Sequence, residues 1–302
     1  MTASKTPPGG SEAHEVASVG ATSAAPGRSQ ASSTPLGGSE AHAVASVGAT
    51  SAAPGRSQAS STPLGGSEAH AVASVGAKFR LALFDLDHTL LPIDSDYAWG
   101  VFTTEIGWTD PVHFQRKNDE FYAHYKAGTL DIHDYVRFAT DAVRHQGAVK
   151  SIAAHDQFMR AVIQKHLNSA ALALVRQHQA AGDEVVIVTA TNEFVTRPIA
   201  QAFGVSELIA VELERGADGW ITGEIRGVPS ARAGKVTRVA QWLAQRQWGW
   251  DDVESTFYSD SVNDLPLLEK VNHPVATNPD AQLREMARAR GWRILDLFDK
   301  IG

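Results

Sequence analysis

The apolar run Leu81-Ala82-Leu83-Phe84 stops at Asp85-Leu86-Asp87-His88-Thr89, where two carboxylates stand two residues apart. Side chains alternate faces along a strand. At the strand's carboxyl end the chain turns, so both acids can reach the crevice where open α/β sheets place their chemistry. One carboxylate there can attack an electrophile or bind a metal while its neighbour moves a proton. A second piece is Val186-Ile187-Val188-Thr189, followed by Ala190, Thr191 and Asn192. A strand-end hydroxyl and the N–H groups of the next turn suit a phosphate oxygen. The third is Lys235, behind Gly234 at a helix start, an ammonium able to neutralise a transferring phosphoryl group. The fourth is Tyr258-Ser259-Asp260-Ser261-Val262-Asn263-Asp264, again a strand end with an acid and a second acid four residues on. Mg²⁺ takes oxygen ligands, usually one or two carboxylates plus phosphate and water, and Asp85 and Asp260 on adjacent strands could supply them. Each piece alone has a bland reading as a turn, a core strand, a solvated lysine or a helix cap. Their order, each at a strand end or helix start, speaks for a site.

The elements that must position them alternate. Apolar or β-branched runs predict strands at 79–84, 185–188, 256–258 and 274–276. Helical patterns run over 172–179, stopped by Gly182, and 197–203, stopped by Gly204, with Pro198 in the first turn of the latter. Further helices are read at 235–245, 264–270 and 280–289. Residues 208–212 and 220–225 flank Gly216-Ala217-Asp218-Gly219 and predict a hairpin. Alternation of this kind implies a mainly parallel sheet with helices on both faces. Residues 95 to about 181 break it, being mostly helical with Phe121, Tyr125, Tyr135 and Phe138 at helical spacing, and look like an inserted cap. The boundaries expected are 78–94 with 171–302 for the catalytic core and 95–170 for the cap. Trp99 is expected to pack at the cap junction.

Residues 1–77 are of another kind. Gly9-Gly10-Ser11-Glu12-Ala13-His14 returns at Gly37 and again at Gly65 in a stretch of Ala, Ser, Gly, Thr and Pro. Such a composition cannot offset the entropy of ordering by burial, so a disordered tail without a fold role is expected. The near-identity of the repeats suggests a native start near Gly76. The chain carries 27 Lys+Arg against 34 Asp+Glu, a net charge of −7. That balance, without a basic block, argues against nucleic acid and anionic membranes as partners. No apolar run reaches the ~18 residues of a spanning helix, and there is no signal-peptide pattern, so a cytoplasmic protein is expected. Absence of cysteine excludes disulfides and thiolate metal sites. The histidines show no metal-ligand spacing.

The ordered set DLDHT, VIVT, Lys235 and DSVND resembles the haloacid dehalogenase superfamily of phosphatases, across 78–302 and none of the tail. The resemblance implies an α/β, Rossmann-like core with an inserted helical cap of the C1 type. It makes Asp85 the nucleophile that carries an aspartyl-phosphate and Asp87 the general acid and base. Thr189, Ala190, Lys235 and Asn263 become the phosphate-binding groups. Mg²⁺ would be held by Asp85, the Asp87 backbone carbonyl and Asp260, with Asp264 acting through water or from behind. The cap position resembles the phosphoserine-phosphatase branch, where an acid nine residues after the nucleophile reads the substrate amine; here that is Asp94. The stretch 94–99 and the pair Thr191-Asn192 depart from that branch. DSDYAWG, TATNEFVTRPIA and YSDSVNDLPLLE instead resemble a proteobacterial group that includes histidinol-phosphatases. Asp94, Asp96 and Asn192 are therefore candidate contacts to a small phosphomonoester, with histidinol phosphate expected first, phosphoserine second and a broad range of esters third. Asp94 and Asp96 suit helix capping equally. A phosphotransferase or an inactive binding module are the alternatives of another class, and the intact acid at Asp87 argues against the latter.

Overall fold

The computed structural model describes residues 78–127 and 129–298, and the expectations for the repetitive tail lie outside the described residues. In chain order the strands are β1 (Phe79–Phe84), β2 (Glu184–Asn192), β3 (Glu207–Val211), β4 (Leu213–Arg215), β5 (Ile221–Ile225), β6 (Val253–Ser259), β7 (His273–Thr277) and β8 (Arg293–Leu295). Among the described residues, six of them form one sheet in the order β3-β2-β1-β6-β7-β8, with every neighbour parallel. The chain builds from β1 outward to β3, then crosses back to lay β6 on β1's other side. The carboxyl ends of β1 and β6 thus meet at the switch point, where the crevice of such a sheet opens.

β1 shows why this sequence makes a central strand. From Leu81 to Phe84 every side chain is buried, as expected where helices cover both faces. Leu81 and Leu83 join Val186, Val188 and Phe257 on one face, while Ala82 and Phe84 join Val185, Ile187 and Tyr258 on the other. The two-residue period of a strand thus sorts its own side chains into two cores.

The helices are α1 (Ser95–Glu105), α2 (Pro111–Ala127), α3 (Ile132–Ala139), α4 (Asp141–Ala161), α5 (Ser169–Ala180), α6 (Glu193–Ala202), α7 (Ala233–Gln245), α8 (Leu265–Leu268) and α9 (Ala281–Arg290). The first four form the insertion between β1 and β2, and α4 is broken at Gly147, whose φ of 74° only glycine adopts without strain. Trp99 of α1 is buried in an aromatic cluster with Phe102, Trp108, His155, Phe158 and Phe194, so its role is packing.

Three local expectations need correction. Residues 208–211 do not enter a hairpin; they are β3 of the main sheet, and the hairpin is β4–β5, which packs on α3 and α4. Both readings share the same apolar run, and adjacency in sequence does not say which sheet it joins. Helix α6 starts at Glu193, because the Asn192 side chain accepts from the Val195 N–H and caps it. Pro198 therefore sits inside the helix, which the buried Val195, Thr196, Ile199 and Ala200 hold in place. The helix read at 264–270 is a single turn, α8, entered through a 3₁₀ turn at Val262–Asp264.

Candidate active site

After β1 the chain doubles back tightly. The Leu90 and Leu91 N–H groups both donate to the Leu86 carbonyl, and His88 takes a left-handed φ of 58°, a region in which His is enriched. The Asp85 N–H donates to the Tyr258 carbonyl at 2.9 Å, tying the ends of β1 and β6 together. This brings the first and fourth sequence motifs to one point.

Lys235 reaches the same point from the first turn of α7. Its Nζ lies 2.7 Å from Asp85 Oδ1 and 2.7 Å from Asp264 Oδ2, and its side chain is 2% exposed. A cation at a helix N-terminus opposes the helix dipole, and burial works against it further. The two carboxylates overcome both, raising the ammonium above its ordinary range despite desolvation. Ser259 donates to the same Asp264 oxygen at 2.7 Å. Gly234 makes the approach possible, since a Cβ there would stand 2.0 Å from the Pro229 carbonyl oxygen. The next residue, Ser230, donates to the Thr189 carbonyl at 2.7 Å. Gly234→Ala should therefore push apart the segment that seats both Lys235 and Thr189. Overpacking of this kind costs about 1–3 kcal/mol. The expected result is a lowered melting temperature together with lost turnover; a variant unchanged in both would show that the close approach is dispensable.

Asp260 completes an acidic cluster. Thr89 Oγ1 lies 3.2 Å from Asp85 Oδ2 and 3.2 Å from Asp260 Oδ1. One hydroxyl proton cannot serve both, so an unneutralised oxygen pair remains. Burial and the neighbouring Asp85 and Asp264 raise the Asp260 carboxyl well above its ordinary range. Three carboxylates against one ammonium leave a deficit of positive charge in an all-oxygen donor set, the setting of a hard divalent cation. Among the described residues no three acidic or imidazole side chains converge as a preformed metal cage, and Mg²⁺ asks for no more than one or two carboxylates beside phosphate and water.

Asp87 stands apart from this cluster in environment. Its Oδ1 accepts from the Ser95 N–H at 2.8 Å and its Oδ2 from the Thr191 hydroxyl at 2.8 Å. Burial and the nearby Asp94 and Asp85 push its carboxyl up to about 8, the Ser95 contact opposing them. That environment favours the protonated carboxyl, the form from which a proton can be given. Thr189 is buried, its Oγ1 accepting from the Thr191 N–H at 3.1 Å, and Ala190 is exposed beside it.

The substrate candidates separate. Asp94 caps α1, accepting from the Tyr97 N–H at 2.9 Å. Asp96 is buried at 7% exposure and accepts from Asn192 Nδ2 at 3.2 Å. Burial and Asp94 push its carboxyl up to about 7, against hydrogen bonds from Tyr135 and Asn192. Asn263 packs its amide on Ser261 Oγ. Tyr125 and Tyr135 reach the acids in a way that their helical spacing did not disclose. Burial, Asp260 and Asp264 push the phenol of Tyr125, carried by α2, upward, with Ser261 and Asn263 opposing them. Burial and the nearby Asp96, Asp94 and Asp87 push the phenol of Tyr135, on α3, well up.

Residues 82–269 match the family model of haloacid dehalogenase-like hydrolases. A histidinol-phosphatase of Neisseria meningitidis serogroup C (strain 8013) is 41% identical over 217 residues, covering 72% of this chain and 98% of the relative. A phosphoserine phosphatase of Mycobacterium tuberculosis (strain ATCC 25618 / H37Rv) is 31% identical over 222 residues, covering 71% of this chain and 70% of its own. Among solved structures, a protein of unknown function from Bordetella pertussis Tohama I superposes with a TM-score of 0.70 at 51% identity, over 74% of this chain and all of that one. A phospho-aspartyl intermediate analogue of phosphoserine phosphatase superposes with a TM-score of 0.52 at 16% identity, over 74% of this chain and 95% of that one, and shares the fold. The parallel sheet, the motifs gathered at its switch point and the match over 82–269 together make this chain a member of the haloacid dehalogenase-like hydrolase family.

Proposed function

We propose that the chain is a Mg²⁺-dependent phosphomonoesterase that works through an aspartyl-phosphate on Asp85, with histidinol phosphate as its substrate. The observation that carries the chemistry is the buried Asp85–Lys235–Asp264 bridge standing against Asp260 and Thr89. A carboxylate is already ionised at neutral pH, so Asp85 needs no base. An Asp85 oxygen attacks phosphorus, the bond to the alcohol oxygen breaks, and Asp87 gives that oxygen its proton. Asp87, now a carboxylate, takes a proton from water as the water oxygen attacks the same phosphorus. The bond to Asp85 breaks and inorganic phosphate leaves. Lys235 offsets charge on the phosphoryl oxygens, with Thr189 and Asn263 beside it. When bound by Asp85, Asp260 and the Asp87 carbonyl, with Asp264 behind them, Mg²⁺ supplies charge neutralisation and alignment.

One observation favours histidinol phosphate over phosphoserine: a relative covered over 98% of its length is a histidinol-phosphatase. The deciding assay is phosphate release with Mg²⁺ from histidinol phosphate, phosphoserine and a generic aryl phosphate. Selective turnover of the first supports the reading, comparable slow rates on all three remove the substrate, and no turnover removes the activity.

The metal has a separate readout. Mg²⁺ at a hundred times its dissociation constant adds about 2.7 kcal/mol to a fold that binds it. For a body of this size that raises the melting temperature by roughly 5–10 °C, and a chelator should reverse it. An unchanged melting temperature across a Mg²⁺ titration would refute the site.

A further inference from the structure

The insertion contains a cavity of about 280 Å³ lined by α1, α2, α3 and the start of α4, roughly nine water volumes. Asp96 and Tyr135 stand at one side of it, and Phe114, Phe138 and Tyr97 supply aromatic wall. Phe114 and Phe138 lie parallel with centroids 5.9 Å apart. The catalytic acids do not line the cavity, but two hydrogen bonds tie its wall to Asp87. The Ser95 N–H, one residue before Asp96, donates to Asp87 at 2.8 Å. Asp96 is bonded to Asn192, the neighbour of Thr191, whose hydroxyl holds Asp87.

We infer that this cavity is a specificity subsite for a nitrogen heterocycle, with Asp96 pairing an imidazole N–H and the Phe114–Phe138 wall lying against the ring. This rests on the phosphatase reading above and names what that site selects. Buried acids are rare unless paired, and aromatic faces attract a flat cationic ring. Among the described residues, Asp96 has hydrogen-bond partners but no cation within the insertion, because the cavity's Arg137 and Arg144 are bound to Glu224, Asp134 and Asp141. The other charged or titratable groups facing this region are Asp94, Tyr135, His113 and Asp141. An imidazole titrating near its ordinary ~6.5 and Asp96 at about 7 hold one shared proton only around neutrality. Below that window both groups are protonated and the pairing is lost, whereas above it a neutral imidazole still donates a ring N–H to the ionised carboxylate, so binding should weaken as the pH falls below about 6.5.

The test is Asp96→Asn, with histidinol phosphate and a generic aryl phosphate as substrates and histidinol as a calorimetric probe of binding. The expected result is a rise in KM for histidinol phosphate at least tenfold larger than any change for the aryl phosphate, together with loss of histidinol binding. Equal losses on both substrates in a folded variant would overturn the subsite while the phosphatase reading stands. Histidinol binding lost in Asp96→Asn, from a parent that hydrolyses neither ester, would keep the subsite and overturn the phosphatase. Should Asp96→Asn not fold, Phe138→Leu takes its place, with weaker histidinol binding expected and unchanged binding overturning the inference. A flat pH profile of histidinol binding to the parent also counts against it.

Discussion

Asp85→Asn should lower kcat by at least ~10³-fold, about 4 kcal/mol of barrier, while the protein stays folded. The amide keeps the shape of the side chain and can still accept from Thr89, but it offers no anionic oxygen to attack phosphorus. Loss of stability is not expected. Asp85, Asp260 and Asp264 crowd three carboxylates around one ammonium, and removing one leaves Lys235 still paired with Asp264 at 2.7 Å. Measured side by side, kcat and the melting temperature separate chemistry from folding. Near-parent turnover in a folded Asp85→Asn protein would sink the nucleophile assignment and the aspartyl-phosphate with it.

Much of this site was legible because its carriers are contiguous in sequence. A run such as Leu81–Phe84 announces a buried strand, and a strand announces where its carboxyl end must be, so the acids of Asp85-Leu86-Asp87 arrive with their location attached. The same holds for Thr189 after β2 and Asp260 after β6. Lys235 was legible as a helix start but not as a buried ion, since its partners Asp85 and Asp264 lie far from it in sequence. What sequence hid were contacts between distant segments. Phe121 with Tyr125, and Tyr135 with Phe138, read as pairs at helical spacing. Phe121 does meet Tyr135 and Phe138 at 5.5 and 5.2 Å. The acids that act on the two phenols lie elsewhere, Asp260 and Asp264 for Tyr125 and Asp96 for Tyr135. Spacing fixes which face of a helix a residue shares, not what lies opposite its polar tip.

Asp94 and Asp96 make the same point with acids two residues apart. At the helix start either could have been a cap. Asp94 takes that work, its oxygen on the Tyr97 N–H, and Asp96 turns inward onto Asn192. Asn192 in turn caps α6 with its oxygen while its amide holds Asp96. β2 therefore passes straight into a helix, and the residues after Thr189 are fixed from both sides. That rigidity keeps the Thr191 hydroxyl on Asp87, so the insertion and Asp87 are joined through hydrogen bonds between fixed elements.

The second large effect is expected at Lys235. Lys235→Met fills similar volume but leaves Asp85 and Asp264 facing each other, buried and without their shared cation. Breaking a buried pair by removing one partner costs about 3–5 kcal/mol, a fall in melting temperature of roughly 10 °C for a body of this size. Turnover should fall as well, because the same ammonium offsets phosphoryl charge. The two losses have different origins, and a second substitution separates them. In Lys235→Met with Asp264→Asn the unpaired charge at that position is gone while the new amide's oxygen still accepts from Ser259, so at least half of the lost stability should return and turnover should not. Neighbours sharing one bridge couple in this way. Joint recovery of stability and turnover would reduce Lys235 to a structural counter-ion. A single Lys235→Met variant as stable as the parent would mean that the three carboxylates relieve their repulsion without it, and the account of the buried cluster would fail at its centre.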